Sequence, residues 1–235
     1  VLVYHLNQRV DAALKAAAGS NAFVANDTVP QAQAVPYYST IPPISRTIQQ
    51  LAPPGVNFSP VILCGFSAGG WATRTILQQG GDPDALVIAD GTYGTTPSDW
   101  AAWSAYAARA RSGERTFLTS YTTLLVASST WHVLCAITGQ TLPLGPIAGR
   151  PAGVPMLASP GSVVYESGRF KVFGYGSGHE QQGDVVLPMM LSQVTGASRF
   201  TFWEKALVGA AVATVLAAGV ALAWDQGWIG HRRLA

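Results

Sequence analysis

Charge is scarce in this sequence. Only 11% of its 235 residues are Asp, Glu, Lys or Arg, and 14 basic against 12 acidic residues leave a formal net charge of +2. So few cations form no basic stripe, which removes nucleic acid as a partner, because that binding runs on phosphate neutralisation. Cysteine is scarcer still, and two residues cannot build a disulfide framework. Cys64 lies in an apolar run and Cys135 in a helix-like one, so both read as small buried hydrophobes. No Cys/His cluster has metal-ligand spacing, and no metal or cofactor is called for. One further absence is local: from Thr116 to Tyr165 there is neither Asp nor Glu.

What is present is apolar. With 49% hydrophobic residues the chain can bury one good core and is too apolar to stay disordered. Apolar runs alternate with helix-like stretches: VLVY before VDAALKAAAG, VILC before GGWATRTILQQ, ALVIAD before SDWAAWSAYAARARSG, RTFLTSYT before SSTWHVLCAITG, and RFKVFGYG before EQQGDVVLPMMLSQV. This rhythm predicts an α/β domain over residues 1–198, a mostly parallel sheet flanked on both faces by helices. Two stretches break it, the proline-rich region Pro30 to Pro60 and the segment Thr141 to Gly161. The second is too apolar for an exposed linker and reads either as a lid or as a crossover loop packed on the core. The chain opens directly in an apparent strand, with no initiator methionine and no charged n-region. Either the sequence starts inside a longer gene product, with N-terminal strands upstream, or its start was assigned late, and a signal peptide is neither implied nor excluded.

The C-terminus is different material. ALVGAAVATVLAAGVALA, Ala206 to Ala223, carries no charge, and at about 1.5 Å per residue a helix over it would be about 27 Å long, nearly a bilayer core. Phe200, Phe202 and Trp203 stand on one side and Trp224 and Trp228 on the other, with Lys205, Arg232 and Arg233 among the flanks. Interfacial aromatics belong at such positions, and a buried helix of the globular domain would normally show a polar face. Residues 199–230 are therefore read as a single membrane-spanning helix with aromatic flanks and 231–235 as a short basic tail. The basic residues nearly balance across it and set no orientation.

The stretch VILCGFSAGGWATRTILQQ, Val61 to Gln79, carries the chemistry. An apolar strand runs into Gly65-Phe66-Ser67-Ala68-Gly69 and then into a helix, the G-x-S-x-G nucleophile elbow. Such a turn is tight and strained, so the residues two before and two after the serine must lack side chains. Ser67 then projects from the carboxyl edge of the sheet, above a helix N-terminus that favours developing negative charge.

On these residues the chain resembles the α/β-hydrolase superfamily, the serine esterases, lipases and related acyl hydrolases, from Val1 to about Thr195. The resemblance implies a triad in the chain order serine, acid, histidine and an oxyanion hole of two backbone N–H groups. One would belong to Ala68; the other should come from the loop after VLVY, read here as His5, Leu6 and Asn7, with Leu6 as the donor. Many family members carry His-Gly at that point and this chain has His-Leu. Among the four histidines, His231 lies beyond the apolar tail, His5 precedes the serine, and His132 sits within a helix-like run. His179 follows the strand RFKVFGYG in the loop GSGHE, where the family places its base.

The acid is the less regular member. Most family members carry it after the second strand beyond the serine, here RTFLTSYT, where the chain has no carboxylate. One strand earlier ALVIAD ends in Asp90. A crossover from VILC would lay ALVIAD parallel to it at about 4.8 Å, ending at the same edge, so Asp90 can share one histidine with Ser67. Asp99 and Glu166 compete for the role. Tyr93, Trp100, Trp103 and Tyr106 either line an acyl pocket or belong to the core. The expected function is a serine hydrolase cleaving a small-molecule or lipid-like acyl ester at a membrane, with oligomeric state unspecified. The alternatives are a catalytically inactive membrane-tethered interaction protein on the same fold, and an amidase or envelope-polymer hydrolase on the same triad.

Overall fold

The computed structural model of the chain describes residues 1–6, 12–27, 38, 40–122, 129–145, 150–176 and 178–197. The apolar segment Ala206 to Ala223 with its flanks, Asn7 and His231 lie outside the described residues. Among the described residues no helix is long and apolar enough to cross a membrane.

Seven strands form one sheet: β1 (Leu2–Leu6), β2 (Phe23–Asp27), β3 (Val61–Phe66), β4 (Ala85–Ala89), β5 (Thr116–Thr122), β6 (Ser162–Ser167) and β7 (Phe170–Tyr175). Their order is β2-β1-β3-β4-β5-β7-β6, parallel throughout except that β6 runs antiparallel to β7. Every residue of β3 and β4 is buried, as expected of parallel strands covered on both faces. The edges differ: β2 and β6 alternate or mix exposed and half-buried residues, and β6 carries Glu166 paired with Lys171 of β7 at 2.7 Å. A charged edge discourages a further strand from adding.

The flanking helices are α1 (Ala12–Ala18), α2 (Ile44–Leu51), α3 (Gly69–Gln78), α4 (Pro97–Arg111) and α5 (Ser129–Thr138). After β7 come α6 (His179–Gln181), a π-helical turn (Gln182–Val186) and α7 (Leu187–Thr195). Helix α4 shows how local sequence sets a boundary: Thr96 accepts a hydrogen bond from the Asp99 N–H, Asp99 reaches back to the Thr96 N–H, and Pro97 opens the first turn. Helix α7 stops at Gly196, whose φ of 69° is left-handed.

The largest core side chains stack across β5. Trp103 lies on Phe117 and Phe117 on Phe170, with ring centroids 6.0 and 5.0 Å apart, while Tyr106 meets Phe117 edge-on. Trp103 and Tyr106 therefore belong to the core rather than to an acyl pocket. The described part of the apolar segment 141–161 packs on the core through a few side chains, Val154 and Leu157 among them, while Met156 stands 52% exposed. Leu142 and Leu144 are buried, Trp131 Nε1 donates to the Leu142 carbonyl at 3.1 Å, and Tyr121 Oη donates to the Pro143 carbonyl at 2.5 Å.

Strand direction gathers the chemically active residues at one edge of the sheet. The order reverses between β1 and β3, and in open parallel sheets the crevice at the carboxyl ends of strands beside such a reversal is the usual ligand position. Ser67 follows β3 directly and Asp90 follows β4 directly, with Phe66 and Ala89 in register.

Candidate active site

The turn between β3 and α3 is held by backbone bonds on both sides of Ser67. Its N–H donates to the Ala89 carbonyl at 3.2 Å and its carbonyl accepts from the Gly70 N–H at 2.9 Å. Ser67 takes a φ of 51°, in the left-handed region that side chains disfavour. The glycines make that turn possible by close approach. A Cβ on Gly69 would sit 2.2 Å from the Leu6 carbonyl oxygen, and one on Gly70 would sit 1.5 Å from the Gly91 carbonyl oxygen. The G-x-S-x-G pattern marks Gly65 and Gly69; Gly70 escapes it, although the Gly69-Gly70 doublet was the visible sign.

Gly70→Ala is accordingly expected to destabilise the domain severely, since the new methyl meets backbone that cannot swing aside. Overpacking usually costs about 1–3 kcal/mol, and this site should reach or pass the upper end, a fall in melting temperature of roughly 6–12 °C. Thermal unfolding followed by circular dichroism measures it, and an unchanged midpoint would contradict the close approach.

Asp90 is the other non-glycine residue of positive φ among the described residues, at 43°. Its N–H donates to the Ser120 carbonyl at 3.1 Å, and its side chain is buried at 3% exposure. Strained backbone persists only where its surroundings fix it, and here both instances lie at the carboxyl edge of adjacent strands. His179 bridges them. Its Nδ1 lies 2.6 Å from Asp90 Oδ2 and its Nε2 lies 2.7 Å from Ser67 Oγ. The imidazole also rests on Phe66, with ring centroids 4.8 Å apart. Asp90 is the first cause of a His179 pKa raised above the ordinary histidine value, through its hydrogen bond and then its charge; partial burial opposes it.

His179 is not on a free loop. It is the first residue of α6, with Gly178 as N-cap, and the helix passes at once into the π-helical turn. Gln182, buried in that turn, accepts a hydrogen bond of 2.7 Å from Ser120 Oγ. Strand β5, after which the sequence offers no carboxylate, thus ties down the segment bearing the histidine. Nothing in the sequence pattern announced this pair.

The competing residues are engaged elsewhere. Asp99 caps α4 and pairs with Arg74 at 3.1 Å, and Glu166 lies on the edge hairpin with Lys171. His132 is exposed on α5 against the Trp131 ring. Cys64 is fully buried in β3, and burial pushes its thiol far up. Ala68 is the N-cap of α3, next to Ser67 at the positive end of that helix. Leu6 differs from the expectation that placed it in a loop. The strand runs through it, with ladder partners Asp27 and Gly65 on either side, because β1 lies inside the sheet and is paired with both β2 and β3 along its whole length. A loop donor would come from beyond it.

Tyr93, three residues past Asp90, tilts against the Trp71 ring, with centroids 6.2 Å apart. Burial is the main cause that pushes its phenol up to about 12, and the Asp90 charge adds to it. Comparison of the chain with protein-family models, with curated proteins and with solved structures yields no match.

Proposed function

We propose that this chain is a serine hydrolase of the α/β-hydrolase type, cleaving an acyl ester through Ser67, His179 and Asp90. The observation that carries the reading is the single imidazole whose two nitrogens face a buried carboxylate and a serine hydroxyl on a strained strand-to-helix turn. Such a constellation is recognised by geometry and roles, whatever the surrounding sequence.

In this reading His179 Nε2 takes the proton of Ser67 Oγ as the oxygen attacks the acyl carbon. Asp90 keeps the proton on Nδ1 and stabilises the imidazolium that forms. The carbonyl pair becomes an oxyanion beside the Ala68 N–H at the start of α3. Collapse expels the alcohol, protonated by His179, and water repeats the cycle on the acyl-enzyme. No cofactor enters. The test is a fluorophosphonate probe together with p-nitrophenyl esters of graded chain length. Covalent labelling and turnover of at least one ester support the proposal, and the chain-length ranking defines the acyl pocket. A folded chain inert to both would favour the interaction-protein alternative.

Membrane attachment through residues 199–230 is part of the proposal and rests on sequence alone. The full chain should fractionate with membranes and resist carbonate extraction, whereas a chain ended at Ser198 should stay in the supernatant. A full-length chain that is monodisperse without detergent would reverse it.

A further inference from the structure

Resting on the serine hydrolase reading, we infer that Ser120 positions the base against its acid, through one polar atom toward each. Its carbonyl accepts the Asp90 N–H at 3.1 Å, and its hydroxyl donates to Gln182 Oε1 at 2.7 Å. Gln182 lies three residues past His179, about one helical turn along, so it anchors the same side of that short segment. Ser120 touches no reacting atom and acts through these neighbours.

The base needs such an anchor. Its helix α6 has three residues, and the N-cap is Gly178, which has no side chain to bond the first turn. Phe66 supports the face of the imidazole, with centroids 4.8 Å apart, yet it sets neither nitrogen. Contacts of 2.6 and 2.7 Å from the two ring nitrogens leave little play, since a misplacement of about 1 Å can cost a hundredfold in rate. The π-helical turn that follows brings Gln182 onto the sheet, and such turns gather at functional sites.

The anchor itself is fixed. Ser120 stands inside the sheet on β5, opposite Ala89 of β4 and Phe173 of β7, and both Ser120 and Gln182 are fully buried. The Ala89 carbonyl in turn holds the Ser67 N–H at 3.2 Å. Ala89 and Ser120, side by side, thus fix the serine's turn, the acid's backbone and the base's segment. Polar side chains in so dry a place are costly unless bonded, and these two bond each other. A purely structural bond would stabilise the fold and leave the chemistry alone. Tyr106 makes one of that kind, its buried hydroxyl donating at 2.9 Å to the Pro83 carbonyl just before β4, at the edge of the sheet away from the triad.

Ser120→Ala keeps the backbone bond to Asp90 and removes the hydroxyl, and Gln182→Met removes the acceptor at nearly constant volume. Each should lower kcat by about tenfold to a hundredfold with KM nearly unchanged. Each should also move the acid limb of kcat/KM to lower pH, because the Asp90 hydrogen bond, the first cause of the raised His179 pKa, is loosened while the smaller contribution of Glu180 stays. Ser120→Thr restores the hydroxyl and should keep the parent's kcat and acid limb. Tyr106→Phe also loses a buried hydroxyl bond and should lower the melting temperature alone. A rise in KM at unchanged kcat, or a kcat loss with an unmoved acid limb, overturns the inference. So does a Ser120→Thr protein as slow as Ser120→Ala. If the parent chain hydrolyses esters and is labelled at Ser67 while Ser120→Ala and Gln182→Met behave like Tyr106→Phe, only this inference falls. A parent chain neither labelled nor active takes the hydrolase reading down with it.

Discussion

Ser67→Ala is expected to abolish both fluorophosphonate labelling and ester hydrolysis, with a loss of about a millionfold in turnover if the triad operates as a unit, as removal of the serine does in serine proteases. The scale follows from the geometry. Without Oγ nothing bonds to the acyl carbon, and His179 and Asp90 are left with only water to activate. The fold should survive, since the backbone bonds of the turn use the Ser67 N–H and carbonyl, to Ala89 and Gly70, and not its side chain. Alanine lacks the tolerance for left-handed backbone that glycine has, but serine carries the same Cβ at this φ of 51°, so the substitution adds no strain. Intact-protein and peptide mass spectrometry read the labelling, and a chromogenic ester reads the turnover. Labelling that persists in Ser67→Ala would place the nucleophile elsewhere.

The chain announced its fold through period and punctuation. Runs such as VILC and ALVIA are apolar at every position, as suits a strand covered on both faces, and the helical stretches between them left little topological freedom. Ser67 was legible because an elbow demands glycine at fixed offsets, and His179 because few histidines compete. What stayed hidden shares one cause: it depends on contacts between residues distant in sequence. Gly70 is required by Gly91, a neighbour only once β4 lies beside β3. The Ser120–Gln182 bond spans 62 residues and joins two ordinary polar side chains. The strand end at Leu6 is set by pairing on both sides, which a local reading of VLVY could not see. Tyr93 and Trp103 sit in one aromatic stretch, yet Tyr93 tilts against Trp71 while Trp103 stacks on Phe117 in the core, a division that no local pattern announces.

Asp90→Asn is expected to lower turnover by about ten-thousandfold, the loss that the same change produces in a serine protease, and a loss under roughly a hundredfold would argue against the triad. The substitution isolates chemistry from fold better than alanine would. Asparagine has nearly the shape of aspartate and is among the few residues at ease in left-handed backbone, which position 90 requires at a φ of 43°. Its amide would present N–H to His179 Nδ1, so the ring would carry its proton on Nε2, facing Ser67 Oγ, and could no longer accept one. The pH profile provides an independent reading. His179 must be neutral to act, and the Asp90 hydrogen bond raises its pKa, so the acid limb of kcat/KM should lie above the ordinary histidine value of about 6.5. Removing the carboxylate charge removes the main cause of that rise, and the limb of the residual activity should move to lower pH. Glu166→Gln serves as the comparison, since its exposed pairing with Lys171 is worth at most about 1 kcal/mol and touches neither ring nitrogen. It should leave kcat, KM and the acid limb where they are. An Asp90→Asn protein with full turnover and an unmoved acid limb would show that the 2.6 Å contact orients nothing that the reaction uses.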